Sequence, residues 1–191
     1  MFTGIIKKVG VIHSWNLESR ILGIKSDFDN LIPGESISCS GVCLTVSSFK
    51  KNIFFCNLSS ETVTKTNLRT KKEGDKLNLE KSLKIGEDLS GHLVFGHVDG
   101  IATLNEIKND KDSWILNFSI TSDLSKYLTN KCSISIDGIS LTVNKVDKEN
   151  FDVSIVPFTW ENTNLKFSAI GDKFNIEIDM LARYVFKALN K

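Results

Sequence analysis

The chain has 191 residues, 41% of them hydrophobic and 25% charged, with a formal net charge of +1. That length admits one large domain or two small ones. The interspersed charges leave no basic stripe for nucleic acid and no acidic solvating tail.

In chain order, the first strand signals are Gly10 to Trp15 and Arg20 to Lys25, short, β-branched and partly alternating. Ser36 to Ser40 alternates small polar with apolar residues, and Leu44-Thr45-Val46, Ile53 to Cys56 and Lys76 to Glu80 continue the pattern. Pro33-Gly34, Lys50-Lys51-Asn52 and Gly74-Asp75 supply the turns between them. The run from Leu58 to Leu68 holds a short helix, and Ser122 to Leu128 a helical turn with Ser122 or Asp123 as its cap. Strands this short and this closely spaced point to a small barrel or sandwich.

The strand series occurs twice. Residues 34–80 align without a gap on residues 131–177, and the identities include Ser36/Ser133, Gly41/Gly138, Leu44/Leu141, Thr45/Thr142, Asn67/Asn164, Gly74/Gly171 and Glu80/Glu177. Upstream, Phe2-Thr3-Gly4-Ile5-Ile6 lies against Val94-Phe95-Gly96-His97-Val98. The expected organisation is a first unit at 1–92, a second at 93–178, and a segment at 179–191 outside the repeat. That last segment carries Met180, Leu181, Tyr184, Val185, Ala188 and Leu189 at helical spacing, with Asp179 placed to cap. It is either a lid on its own barrel or an oligomerisation device.

No run approaches the length of apolar sequence that a membrane span needs. MFTGIIKKVG lacks the basic-then-apolar pattern of a secretory signal. Cys39, Cys43, Cys56 and Cys132 form no CxxC pair and do not recur with the repeat, so reduced thiols in a cytoplasmic protein are expected. The stretch from Ser90 to Gly100 between the copies holds His92 and His97 among several glycines. Two histidines five residues apart make a poor metal pair, and the glycines fit no phosphate loop. On spacing alone the stretch reads as a flexible linker with incidental histidines.

Polar differences between the copies carry the chemistry. Cys43 faces Ser140, Ser40 faces Asp137, and His97 faces apolar Ile5. A thiol with a lowered pKa is a nucleophile, and a carboxylate can orient a group or accept a proton. The competing readings are a small core cysteine for Cys43 and turn chemistry for Asp137-Gly138.

MFTGII, SGVCLTV, GHLVFGHVDG, IDGISLTVN and NIEIDMLARYV together resemble the riboflavin synthase family, of the alpha-chain type with a duplicated lumazine-binding domain. The resemblance implies an all-β fold of two tandem six-stranded antiparallel Greek-key barrels with a C-terminal helix. It implies a transferase that dismutates two molecules of 6,7-dimethyl-8-ribityllumazine, the last step of riboflavin biosynthesis. One molecule leaves as 5-amino-6-(D-ribitylamino)uracil and the other becomes riboflavin. No cofactor and no metal is implied. The implied partners are two further copies of the chain in a homotrimer, with lumazine synthase as an open further one, and neither nucleic acid nor membrane. The alternative is a non-catalytic lumazine- or flavin-binding antenna protein on the same scaffold. A flavin-dependent reductase on a similar barrel is a weaker third reading, since no nucleotide-binding domain follows.

Carried over by position, the resemblance assigns Gly4, Ile5, Ile6, Cys43, Leu44, Thr45, Asn57, Leu58, Ser59, Ser60, Glu61 and Thr62 to the first lumazine site. It assigns Gly96, His97, Val98, Lys131, Ser140, Leu141, Thr142, Ile155, Val156, Pro157, Phe158, Thr159 and Trp160 to the second. Cys43 and His97 match positions tied to catalysis, and Ser36, Asp137, Ser140 and Asp179 match positions near the chemistry. The chain departs from the family pattern in having Val42 before Cys43, where a second cysteine is common, and Phe158 where a glutamate is usual.

Overall fold

Alternation becomes strand wherever a turn residue can reverse the chain. In the computed structural model, which describes residues 1–189, the strands are β1 (Lys8–Asn16), β2 (Ile21–Lys25), β3 (Ser36–Cys39), β4 (Val42–Lys50), β5 (Ile53–Asn57) and β6 (Lys76–Lys81). The second set is β7 (Gly100–Asp110), β8 (Ser113–Ser119), β9 (Ser133–Ile136), β10 (Ile139–Asp147), β11 (Asn150–Ile155) and β12 (Lys173–Ile178). Each set closes into an antiparallel barrel, the first in the order β1-β2-β5-β4-β3-β6 and the second with the equivalent neighbours. Closure needs local bends, and the same bulge recurs in both barrels, between Val46 and Ser48 and between Val143 and Lys145.

The expected turns carry the chain reversals. Gly34, Lys51 and Gly74 all have positive φ. The helix expected in 58–68 is α1 (Ser60–Lys65), followed by a 3₁₀ turn at Asn67–Thr70. Its second-copy counterparts are α3 (Pro157–Asn162) and a 3₁₀ turn at Asn164–Phe167. Between them lies α2 (Ser122–Ser125), capped at Thr121 rather than at Ser122 or Asp123. The terminal helix α4 spans Met180–Leu189, with the Leu181 amide donating to Asp179 Oδ1 at 3.0 Å, as the capping expectation requires. The remainder of the expected 179–191 segment, positions 190–191, lies outside the described residues.

Each barrel has its own core. Leu22, Ile24, Ile37, Phe54, Leu77 and Leu79 fill the first, together with the thiols of Cys39 and Cys56. In the second, Ile136 and Val153 replace those thiols, and Phe118 stacks on Phe151 at 5.5 Å and meets Phe174 edge-on at 5.4 Å. The odd cysteine distribution of the sequence is therefore core packing at two of its four positions.

The barrels are joined by a buried polar seam that follows their pseudo-twofold relation. The tight turns Ser40-Gly41 and Asp137-Gly138 have positive φ at both residues and touch back to back. A Cβ on Gly41 would lie 2.7 Å from the Gly138 nitrogen, and one on Gly138 2.8 Å from the Gly41 nitrogen, so only glycine fits. Around them Asn67 and Asn175 exchange hydrogen bonds, and Asn78 and Asn164 repeat the exchange. Asp137 accepts from Asn67, Asn164 and the Asn175 amide, all within 3.2 Å.

Candidate functional site

The segment that precedes each barrel is pinned by that barrel's last strand and then reaches across to the other barrel. Glu80 on β6 accepts from the amides of Thr3 and Gly4 and from the Thr3 hydroxyl. Glu177 on β12 accepts from the amides of Phe95, Gly96 and His97. The two segments pair with each other through Phe2 and Val94. Burial pushes both carboxyls up from their ordinary values, and the donated amides pull the other way.

The carbonyl of Gly96 then accepts from the Cys43 amide at 2.9 Å, and the carbonyl of Gly4 from the Ser140 amide at 2.8 Å. The approach is close enough to exclude a side chain. A Cβ on Gly96 would lie 2.5 Å from the Cys43 Cβ, and one on Gly4 would lie 2.6 Å from the Ser140 Cβ.

This crossing corrects the grouping expected from sequence. Gly4, Ile5 and Ile6 belong with Ser140, and Gly96, His97 and Val98 belong with Cys43. Alignment of the two copies pairs each segment with its own barrel, and nothing local in the sequence reveals the exchange. The signal that could have exposed it is the identity Glu80/Glu177, a carboxylate kept and buried in both copies near the end of each barrel's last strand.

The Cys43 pocket has a volume of about 390 Å³ and is lined by Val42, Cys43, Glu61, Thr62, Lys65, Thr66, Gly96, His97, Val98, Asp99 and Arg183. Four elements build it: β4, α1, the crossing segment and α4. Arg183 on α4 pairs with Asp99 at 2.6 Å and donates to the His97 carbonyl at 3.4 Å. Burial raises the Asp99 carboxyl, and Arg183 draws it back. The side chains of Lys65, Asp99 and Arg183 entered none of the expectations above.

The equivalent groove on the second barrel has a volume of about 510 Å³. It is lined by residues 5–9 together with Phe158, Glu161 and Asn162. By the repeat alignment, Ile5 replaces His97, Ile6 replaces Val98, Phe158 replaces Glu61 and Asn162 replaces Lys65. At these four positions the first pocket carries Glu61, Lys65 and an imidazole where the second is apolar or neutral, while Lys7, Lys8 and Glu161 bring charge elsewhere in the groove. Phe158, exposed to 73%, is part of that change.

Ser140 lies beside this groove under the linker. The Nδ1 of His92 is 2.7 Å from its Oγ. Burial lowers the His92 pKa, and the charge of Asp179 raises it in part. The linker is thus more than a tether, because His92 contacts a candidate site residue.

Among the remaining expected residues, Leu44 and Leu58 are buried in the first barrel's core and Ile155 in the second's. Thr45 pairs with Ser36 across β3 and β4. Asn57 ends β5 and Ser59 caps α1. Ser60 accepts from Arg20. Leu141 and Thr142 follow Ser140 on β10, and Lys131 donates its amide to the Val143 carbonyl at 2.7 Å. Val156 caps α3, Pro157 begins it, Thr159 accepts at its carbonyl from Thr163, and Trp160 stacks on Trp114 at 4.6 Å.

Asp137 is set apart from both pockets. It is fully buried in the seam and reaches a cleft of about 620 Å³ lined by residues including Lys71, Lys76 and Lys173. Burial pushes its carboxyl up to about 6.

Comparison with known proteins gives these pockets a context. The lumazine-binding domain family matches the chain twice, over residues 3–82 and 95–179. Riboflavin synthase of Bacillus subtilis is 34% identical, over 100% of this chain and 91% of its own. That of Photobacterium leiognathi is 39% identical, over 99% and 89%. That of Brucella abortus is 39% identical, over 96% of each. Among solved structures, LumP complexed with riboflavin superposes with a TM-score of 0.85 at 22% identity, covering 93% of this chain and 99% of that one. LumP complexed with 6,7-dimethyl-8-(1'-D-ribityl) lumazine gives 0.83 at 21%.

Proposed function

The chain belongs to the riboflavin synthase family, as two lumazine-binding domains in tandem, and from that premise we propose that it forms riboflavin by dismutation of two 6,7-dimethyl-8-ribityllumazine molecules. A four-carbon unit passes from one lumazine to the other, and the donor leaves as 5-amino-6-(D-ribitylamino)uracil.

One observation carries this reading. Two grooves of the same construction meet different chemistry: Cys43 and His97 line one, and the Ser140–His92 pair stands beside the other, against Gly4. Two like molecules with unlike fates need such a pair. Holding both in register supplies proximity, worth up to roughly 7–11 kcal/mol of barrier in favourable cases.

In this mechanism His97 moves a proton to or from the lumazine in the first pocket, as an imidazole lining the pocket can. Cys43, or a water held beside it, supplies the nucleophile. Ser140 and Thr142 hydrogen-bond a ring edge in the second pocket.

The reacting pair forms between the first barrel of one chain and the second barrel of a neighbour in a homotrimer. The support is α4. Leu181, Tyr184, Val185 and Leu189 on it are exposed, while Arg183 of the same helix lines the Cys43 pocket. A cytoplasmic location follows from the same reading, and association with lumazine synthase remains a partner to be sought by co-sedimentation.

The test is incubation of purified protein with the lumazine while flavin absorbance is followed, with and without a strong chelator. Riboflavin and the pyrimidine should form in equal amounts at the same rate in both. Tight lumazine binding with no flavin formed would leave an antenna-type binding protein as the better account.

A further inference from the structure

We propose that His92 is a positioning residue for the second pocket, acting through the Ser140 hydroxyl. The proposal rests on the riboflavin-forming reading above and adds to it a residue from the linker.

Three observations place His92. Its Nδ1 is 2.7 Å from Ser140 Oγ, a short and direct contact between ring and hydroxyl. Its backbone amide donates to the Thr3 carbonyl at 3.1 Å, so the linker is tied to the crossing segment at this residue. Gly91 permits the approach: a Cβ there would lie 2.0 Å from the Thr3 oxygen and 2.9 Å from the Ser140 Cβ.

Burial holds the ring toward its neutral form, in which one nitrogen accepts and the other donates. A serine hydroxyl otherwise rotates freely. Bonded to Nδ1, it presents a fixed direction to a ring edge in the groove, and the ordering is done before the ligand arrives. The division between the pockets follows from the crossing. His97 serves the Cys43 pocket from the position after Gly96, and its equivalent after Gly4 is Ile5, which has no hydrogen-bonding group. The histidine of the second pocket is therefore supplied from the other side, by the linker.

Because the contact runs through Nδ1, asparagine can reproduce it and glutamine cannot. The experiment compares wild type, H92Q, H92N, S140A and the double variant H92Q/S140A for kcat, KM and lumazine Kd, with thermal unfolding of each. H92Q should lower kcat roughly tenfold with Kd within about twofold, since a small misplacement of a positioned group is costly. H92N should recover most of the rate, and the double variant should be no slower than S140A alone. Unchanged turnover in H92Q, additive losses in the double variant, or equal losses in H92N and H92Q that track lowered melting temperatures would each overturn the proposal.

A second measurement needs no turnover. The ¹⁵N shift of the His92 ring should change in S140A, and an unmoved shift would overturn the pairing. Wild-type protein that makes no riboflavin, yet shows the S140A-sensitive ring shift, would overturn the proposed activity and leave the histidine–serine contact standing.

Discussion

Cys43 differs from the other thiols of the first barrel by where its strand points it. Cys39 and Cys56 face inward, and burial pushes the Cys39 thiol well up and the Cys56 thiol to about 12. Cys43 is half-buried and lines a pocket. A thiol reagent should therefore modify Cys43 long before Cys39 or Cys56 in folded protein, which peptide mass spectrometry reads directly. Cys43→Ser should slow turnover by roughly tenfold or more while lumazine still binds, because the barrel supplies most contacts. Full activity in that variant would make Cys43 a packing residue. Asp137 carries a stability prediction of known sign. Its folded-state pKa of about 6 lies above the ordinary carboxylate value of about 3.9, so the folded protein binds this proton more tightly. The contribution is most favourable below about pH 4 and is lost as pH rises through about 6. Measured against Asp137→Asn by urea unfolding, wild type should therefore lose about 2–3 kcal/mol between those limits. A difference that stays flat across the window would mean that the seam keeps Asp137 charged throughout. At this scale the Cys43/Ser140 substitution was legible because aligned copies expose it. The place of Asp137 was not, because its partners Asn67, Asn164 and Asn175 are distant in sequence and meet only when two barrels dock.

The elements that position the chemistry are the crossing segments, not the barrels alone. Strands and their turns could be read from alternation and from Gly and Asn placement, since both are local properties. The exchange of segments could not, because it depends on Glu80 and Glu177 collecting amides from residues more than 70 positions away. Gly96 states the constraint most sharply. Alanine there would place its Cβ 2.5 Å from Cys43 and force φ near +77°, so the segment must shift and carry His97 with it. Gly96→Ala should cut turnover more than tenfold, with both barrels still folded by circular dichroism. Gly4→Ala should do the same through Ser140. Wild-type turnover in Gly96→Ala would show that the pocket tolerates displacement of its crossing segment. Glu177→Gln tests the same element without a steric clash. It keeps the shape, and it replaces one acceptor oxygen with a donor facing amides that also donate, so turnover should fall while lumazine affinity changes less.

At the scale of the whole molecule, the two pockets of one chain share no lining residue. A reaction between two lumazines needs them face to face, so a second chain is the natural source of the missing half. The helix that could recruit it is already attached to the first pocket. Ala182 packs on the second barrel and Phe186 meets Tyr127 edge-on at 4.8 Å, which fixes one side of α4. Away from those contacts Leu181 is 70% and Val185 58% exposed. Apolar surface on a helix already docked by its other face is what an interface between chains covers. Assembly and chemistry are then linked through Arg183, which holds both Asp99 and the His97 carbonyl. Two variants separate these roles. Leu181→Glu with Val185→Glu should break the assembly and remove turnover, leaving barrel unfolding unchanged. Arg183→Ala should keep the assembly and still slow turnover, because it loosens His97 without touching the exposed face. Deleting residues 180–191 should do both at once. Sedimentation velocity beside the flavin assay decides the matter: a monomeric Leu181→Glu, Val185→Glu protein with full activity would mean that both lumazines react within a single chain.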